Sequence, residues 1–257
     1  MPGYVQMTVI AGDTMEVFKH FDTRKGIPEK VRAARELPTP EEVKKINERN
    51  AERKLRWKIN TNFGAGDFSL NFTYRKHLRP ADRAEAEKDA RLLMRRLRDL
   101  YARHGKEFKY IRVGPAIGEH GAPHLHLICN GDVPEKEVKA CWEKGRKGFA
   151  YCTTMDDGNH AALAHYLIKQ SREWDGGETT FKRWSCSRNL KEPTIIRKFI
   201  KAASWRKDIT PPKGWLLDGE QTRVRVDIMG HPSIEFHLRR VAPTRTPQQE
   251  KKMRRRE

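Results

Sequence analysis

The chain has 257 residues, 37% apolar and 34% charged, and Lys plus Arg outnumber Asp plus Glu by 53 to 34. No window approaches the roughly 18 consecutive apolar residues of a membrane span, and the opening MPGYVQMTVIAGD lacks the basic start and apolar stretch of a signal peptide. A net charge of +19 favours polyanionic partners, nucleic acid first and an anionic membrane surface second, in a cytoplasmic setting.

The four cysteines, Cys129, Cys141, Cys152 and Cys186, show no C-x-x-C spacing, so they read as reduced thiols and argue against a zinc-binding regulator. Residues 28–60 are rich in helix formers and charge, broken at Pro38, Thr39 and Pro40, and predict a helical N-terminal extension over residues 1–60. At residues 67–74 the texture changes to period two, with Phe68, Leu70, Phe72 and Tyr74 on one face and Ser69, Asn71 and Thr73 on the other, which predicts a strand. Pro80 opens a helix to about His104, with Leu93, Leu97, Leu100 and Tyr101 on its apolar face and Arg91, Arg95 and Arg98 on the other. Arg95, Arg96 and Arg98 read as a solvated helix face able to add sequence-independent affinity for nucleic acid.

Residues 108–113 and 124–129 predict two strands of a hairpin joined by the turn GPAIGEHGAP. A helix over about 134–144, a strand at 148–153 and a helix at 159–173 follow. The order β-α-β-β-α-β-α begins as an α+β, ferredoxin-like or RRM-like antiparallel sheet, with helices on one face and the other free for ligands. The expected division is a core domain at 61–193, a C-terminal extension at 194–242, and a basic tail at 243–257 expected to be disordered. No internal repeat is present.

In the stretch PHLHLI, His124 and His126 project from one face of their strand while Leu125 and Leu127 point to the other, so the pair can grip one metal ion. An isolated H-x-H is ordinarily two polar residues on a solvated sheet face. Tyr166 and Lys169, three apart in HYLIKQ, share a helical face. A phenol of pKa near 10 is a nucleophile at neutral pH only with a cation beside it or a metal on its target. Alone, a Y-x-x-K pair is ordinarily a surface feature.

Together, DFSLNFTY, GAPHLHLICNG and HYLIKQSRE resemble, in order, the three motifs of the HUH endonucleases, particularly the rolling-circle replication initiators of phages and plasmids and the filamentous-phage replication-associated proteins. The resemblance covers about residues 60–193. It implies a divalent metal, Mg or Mn, held by His124 and His126, attack by Tyr166 on a scissile phosphate, and Lys169 stabilising the phenolate or the phosphate in transfer. It implies a nickase that forms a 5'-phosphotyrosine on single-stranded DNA at a replication origin and later rejoins the strand.

One tyrosine in the motif, with His165 and Gln170 beside it, suits a single-tyrosine enzyme; Tyr151 is a distant second candidate. The family usually supplies a third ligand from the strand before the histidines, where this chain has Gly114 and Pro115. Glu119 is the nearest carboxylate, with His120 beside it. The interleaved segment FKRWSCSR offers Phe181 or Trp184 for base stacking and Lys182, Arg183 and Arg188 for phosphates. No G-x-x-x-x-G-K-[ST] occurs, so unwinding would need a helicase of the bacterial host. The alternatives are a single-tyrosine transposase and a non-catalytic DNA-binding protein on the same fold.

Overall fold

A computed structural model describes residues 3–21, 39–117, 122–143, 148–171, 184–202, 204–206, 208–226 and 232–241. Among these the chain is mixed α/β, with four α-helices and two five-stranded sheets whose neighbouring strands are all antiparallel. It divides into two compact units, one taking in residues 1–61 and 192–244, the other running from 62 to 191.

The first unit opens on a hairpin, β1 (Tyr4–Ala11) and β2 (Thr14–Phe21), which corrects the expectation of an all-helical extension over 1–60. Val5, Thr8, Val9 and Ile10 are β-branched, and Gly12-Asp13 is a two-residue turn. Gly12 has φ 58°, and a Cβ there would lie 2.0 Å from the Asn60 carbonyl oxygen, so only glycine fits. Residues 22–38, including most of the first expected helix, lie outside the described residues. The second helix is α1 (Pro40–Asn62). Thr39 caps it: its hydroxyl accepts from Glu42 N at 3.2 Å, and its own N–H donates to the Glu42 carboxylate at 2.9 Å.

Strands β8 (Thr194–Ile200), β9 (Trp215–Val226) and β10 (Pro232–Arg240) complete this sheet in the order β8-β1-β2-β10-β9. The expected separate extensions at 1–60 and 194–242 therefore share one sheet. A lone hairpin would leave both its edges unpaired, and β8 and β10 satisfy them.

One face packs Met15, Val17, Phe236 and Leu238 with Trp215, an apolar layer. The α1 face carries buried ion pairs: Arg56 meets Glu16 at 2.6 Å, Arg53 meets Glu235 at 3.0 Å, and His237 Nε2 lies 2.7 Å from Glu235. Burial pushes the Glu235 carboxyl up, but the His237 hydrogen bond, Arg53 and Arg225 outweigh it and hold the group down at about 2.

The second unit contains β3 (Phe68–Thr73), α2 (Arg83–Arg103), β4 (Tyr110–Ile117), β5 (Pro123–Cys129), α3 (Glu135–Glu143), β6 (Ala150–Thr154), α4 (Ala161–Gln170) and β7 (Trp184–Cys186). Its sheet order is β6-β3-β5-β4-β7. β3 and β4, each antiparallel to β5 between them, run in the same direction, and α2 connects them. Asp82 caps α2 by accepting from Glu85 N at 2.8 Å.

The alternation in β3 and β5 sends Phe68, Leu70, Phe72, Leu125 and Leu127 into a core with Leu93, Leu97, Leu100 and Tyr101 of α2 and Trp142 of α3. β4 runs beyond the expected 108–113 through Gly114-Pro115, which the sequence suggested was already the turn. A register shift between Val113 and Ala116 places this pair in an irregularity of the ladder, where proline's missing N–H is tolerated.

Candidate functional site

Because successive strand residues alternate, the packing of Leu125 and Leu127 against α2 fixes His124 and His126 on the opposite face, where they are 7% and 4% exposed. The ladder sets a single row across all five strands: Tyr151 on β6 stands opposite Asn71 on β3, Asn71 opposite His126, His126 opposite Val113 on β4, and Val113 opposite Trp184 on β7. Helix α4 lies on this face, with Ala164, Leu167 and Ile168 buried beneath it. Tyr166, 44% exposed, brings its ring to 5.3 Å from that of His126, edge to face. The two histidine rings are themselves 4.7 Å apart at 87°.

His124 Nδ1 lies 3.1 Å from the Ala122 carbonyl oxygen, so the tautomer that donates there leaves its lone pair on Nε2. The Nε2 atoms of both histidines are buried without a hydrogen-bond partner among the described residues, and so is Asn71 Oδ1. Burial, and then the neighbouring His124, push the His126 imidazole down to about 3, so it is neutral with a free lone pair at pH 7. Asn71 and His126 line a cleft of roughly 630 Å³ that is also bounded by Tyr151, Thr153, His160 and Tyr166.

Lys169 is exposed one turn beyond Tyr166, and its ammonium makes no hydrogen bond or ion pair with a described residue. Trp184 is half-buried in the histidine row, and Arg188 is exposed just after β7. Glu119, His120, Phe181, Lys182 and Arg183 lie outside the described residues.

On β4 the residues facing His126 and His124 are Val113 and Ala116, neither of them a metal donor. Two contributors were not singled out from sequence. Asn71 was visible only as one of three polar positions in an alternating strand, and His160 had no motif around it.

The site is thus a buried histidine pair on an antiparallel sheet with a helical phenol against it. Residues 67–171 match the family model of the replication-associated protein ORF2/G2P. The matched segment, under half of the chain, runs from the start of β3 to the end of α4 and contains Asn71, both histidines, Tyr166 and Lys169. No curated protein and no solved structure matches the chain. No helix among the described residues is long and apolar enough to cross a membrane.

Proposed function

We propose that the chain is a replication initiator of the HUH endonuclease type, which nicks single-stranded DNA at an origin and later rejoins it. The observation that carries this reading is the pair of buried histidine Nε2 atoms, without a hydrogen-bond partner among the described residues, with the Tyr166 ring against that of His126. Leaving two ring nitrogens buried without partners is unfavourable unless something fills the place, and neutral imidazole suits a divalent cation. The replication-associated family match and the surplus of basic residues support DNA as the partner. The sheet order, with the first and last of four strands adjacent, supports a ferredoxin-like unit.

His124 and His126 would hold Mg or Mn. Asn71 Oδ1, opposite His126 on the neighbouring strand, is a further donor from the described residues, and Glu119 is the alternative from outside them. When bound, the cation supplies charge stabilisation for the scissile phosphate.

Tyr166, exposed enough to meet a substrate, loses its hydroxyl proton as its oxygen bonds to phosphorus. The bond from phosphorus to the 3'-oxygen breaks, and that oxygen takes up a proton. The products are a 5'-phosphotyrosine and a free 3'-hydroxyl. One phosphodiester is exchanged for another, so the reverse step rejoins the strand without ATP. Lys169, one turn along α4, stabilises the developing phenolate or the phosphate in transfer.

Trp184 and Arg188 extend the DNA contact along the β7 edge, and Lys182 and Arg183, outside the described residues, are further candidates for phosphate contact from sequence. Unwinding falls to a host helicase.

The test is a labelled single strand from around the gene, incubated with Mn and the protein and run on a denaturing gel. A protein-bound band is expected, absent after chelation and in Tyr166→Phe. A band that persists in Tyr166→Phe would move the nucleophile to Tyr151, which borders the same cleft.

A further inference from the structure

A second concave site lies on the other face of the same sheet. Tyr110 and Arg112 alternate with Ile111 and Val113, so they point to the α2 side while Val113 belongs to the histidine row. Between them and α2 runs a cleft of roughly 590 Å³, lined on the helix side by Lys88, Arg91, Arg95 and Arg98. These four follow one another at spacings of three and four, so they form a single stripe, about 15 Å long at the helical rise per residue. All four are exposed, and among the described residues no acidic side chain lines the cleft. Arg112 of the cleft donates to the Glu87 carboxylate at 2.8 and 3.4 Å. Arg98 reaches toward the Tyr110 hydroxyl at 3.5 Å.

Like charges three and four apart on a helix repel, so the stripe lowers helix stability unless an anion lies along it. A scattered basic surface would interleave acids, as α2 itself does elsewhere with Glu85, Asp89 and Asp99. A row of cations facing an open cleft with a tyrosine and Met94 in its wall suits a chain of regularly spaced phosphates bearing flat bases.

We propose that this cleft binds the phosphodiester backbone of single-stranded nucleic acid, as a site separate from the histidine face. It holds the strand outside the reacting phosphate and supplies sequence-independent affinity. The proposal does not depend on the nicking chemistry.

The test is fluorescence anisotropy of a labelled mixed-sequence single strand, with the full chain, over a salt series and without divalent cation. The groove variant carries Lys88→Gln, Arg91→Gln, Arg95→Gln and Arg98→Gln. A control loses the same four charges at exposed Lys44, Lys45, Lys54 and Lys136.

Losing three or four phosphate contacts should reduce the slope of log affinity against log salt by about 2 to 3, and affinity at moderate salt by tenfold or more. The control should change the slope by less than about one. Should the fourfold variant fold poorly, Arg91→Gln with Arg95→Gln is expected to reduce the slope by about 1.4. Two results would overturn the proposal: an unchanged slope in the groove variants, or an equal fall in the control.

Discussion

Asn71 stands directly across from His126 on the neighbouring strand, and Asn71 Oδ1, like His126 Nε2, is buried without a hydrogen-bond partner among the described residues. An amide oxygen beside two imidazoles is a reasonable donor to a hard divalent cation. Asn71→Leu is therefore expected to weaken Mn binding about tenfold, or about 1.4 kcal/mol. Asn71→Asp should retain or strengthen it. Titration calorimetry of the DNA-free protein reads both directly. Wild-type binding in Asn71→Leu would pass the role to Glu119, whereas no Mn binding by the wild type would remove the metal site itself.

The buried state of His126 makes stability depend on pH. Its folded value is pushed down to about 3 from an ordinary 6.5, so between these limits the unfolded chain takes up a proton that the folded chain refuses. This group leaves stability untouched above about pH 6.5 and lowers it as pH falls toward 3, by up to about 1.4 kcal/mol per pH unit. Urea unfolding of the metal-free protein between pH 4 and 7 should show a shallower decline in His126→Leu than in wild type. Parallel declines would contradict the burial of a neutral imidazole.

In the other unit, Arg56 neutralises a Glu16 that is 3% exposed. Arg56→Ala leaves that carboxylate buried without its cation and should destabilise the fold by about 3 to 5 kcal/mol. Replacing both, Glu16→Leu with Arg56→Met, should cost much less, since no charge is then stranded. Denaturant midpoints compare the two; an equal loss in both would mean that packing, not charge, holds this layer.

The histidine face was legible in sequence because its signals are local. Period two in residues 68–73 and the pairing of His124 with His126 need no knowledge of the rest of the chain, and Tyr166 and Lys169 declare themselves by helical spacing. Gly114 and Pro115 read as a turn because their residue types favour one, yet the ladder absorbs them in an irregularity within β4.

The N-terminal hairpin is obscured by the helix formers that follow it, although Gly12-Asp13 after the β-branched run Thr8-Val9-Ile10 is a usable sign. Asn71 was beyond reach. Its place beside His126 depends on the register between strands more than 50 residues apart, and no local pattern encodes that pairing. The union of β1 and β2 with β8 and β10 is hidden for the same reason.

Gly148 offers a check on the close packing beside the site. A Cβ there would lie 1.7 Å from the Thr73 carbonyl oxygen, which also accepts from the Trp142 indole at 2.8 Å. Gly148→Ala must push the start of β6 from β3 and should lower stability by about 1 to 3 kcal/mol. A thermal melt unchanged from wild type would show that the β6 edge gives way freely.

The most direct measurement is to identify the residue that carries DNA after reaction. The protein is incubated with Mn and a single strand containing its origin, the adduct is digested with nuclease and protease, and the peptides are mapped by mass spectrometry. A nucleotide 5'-phosphate on the peptide containing Tyr166, absent when chelator is added first, is the predicted result. Cleaved DNA with no modified peptide, or modification at another residue, would contradict attack by Tyr166 from α4 beside the histidine pair.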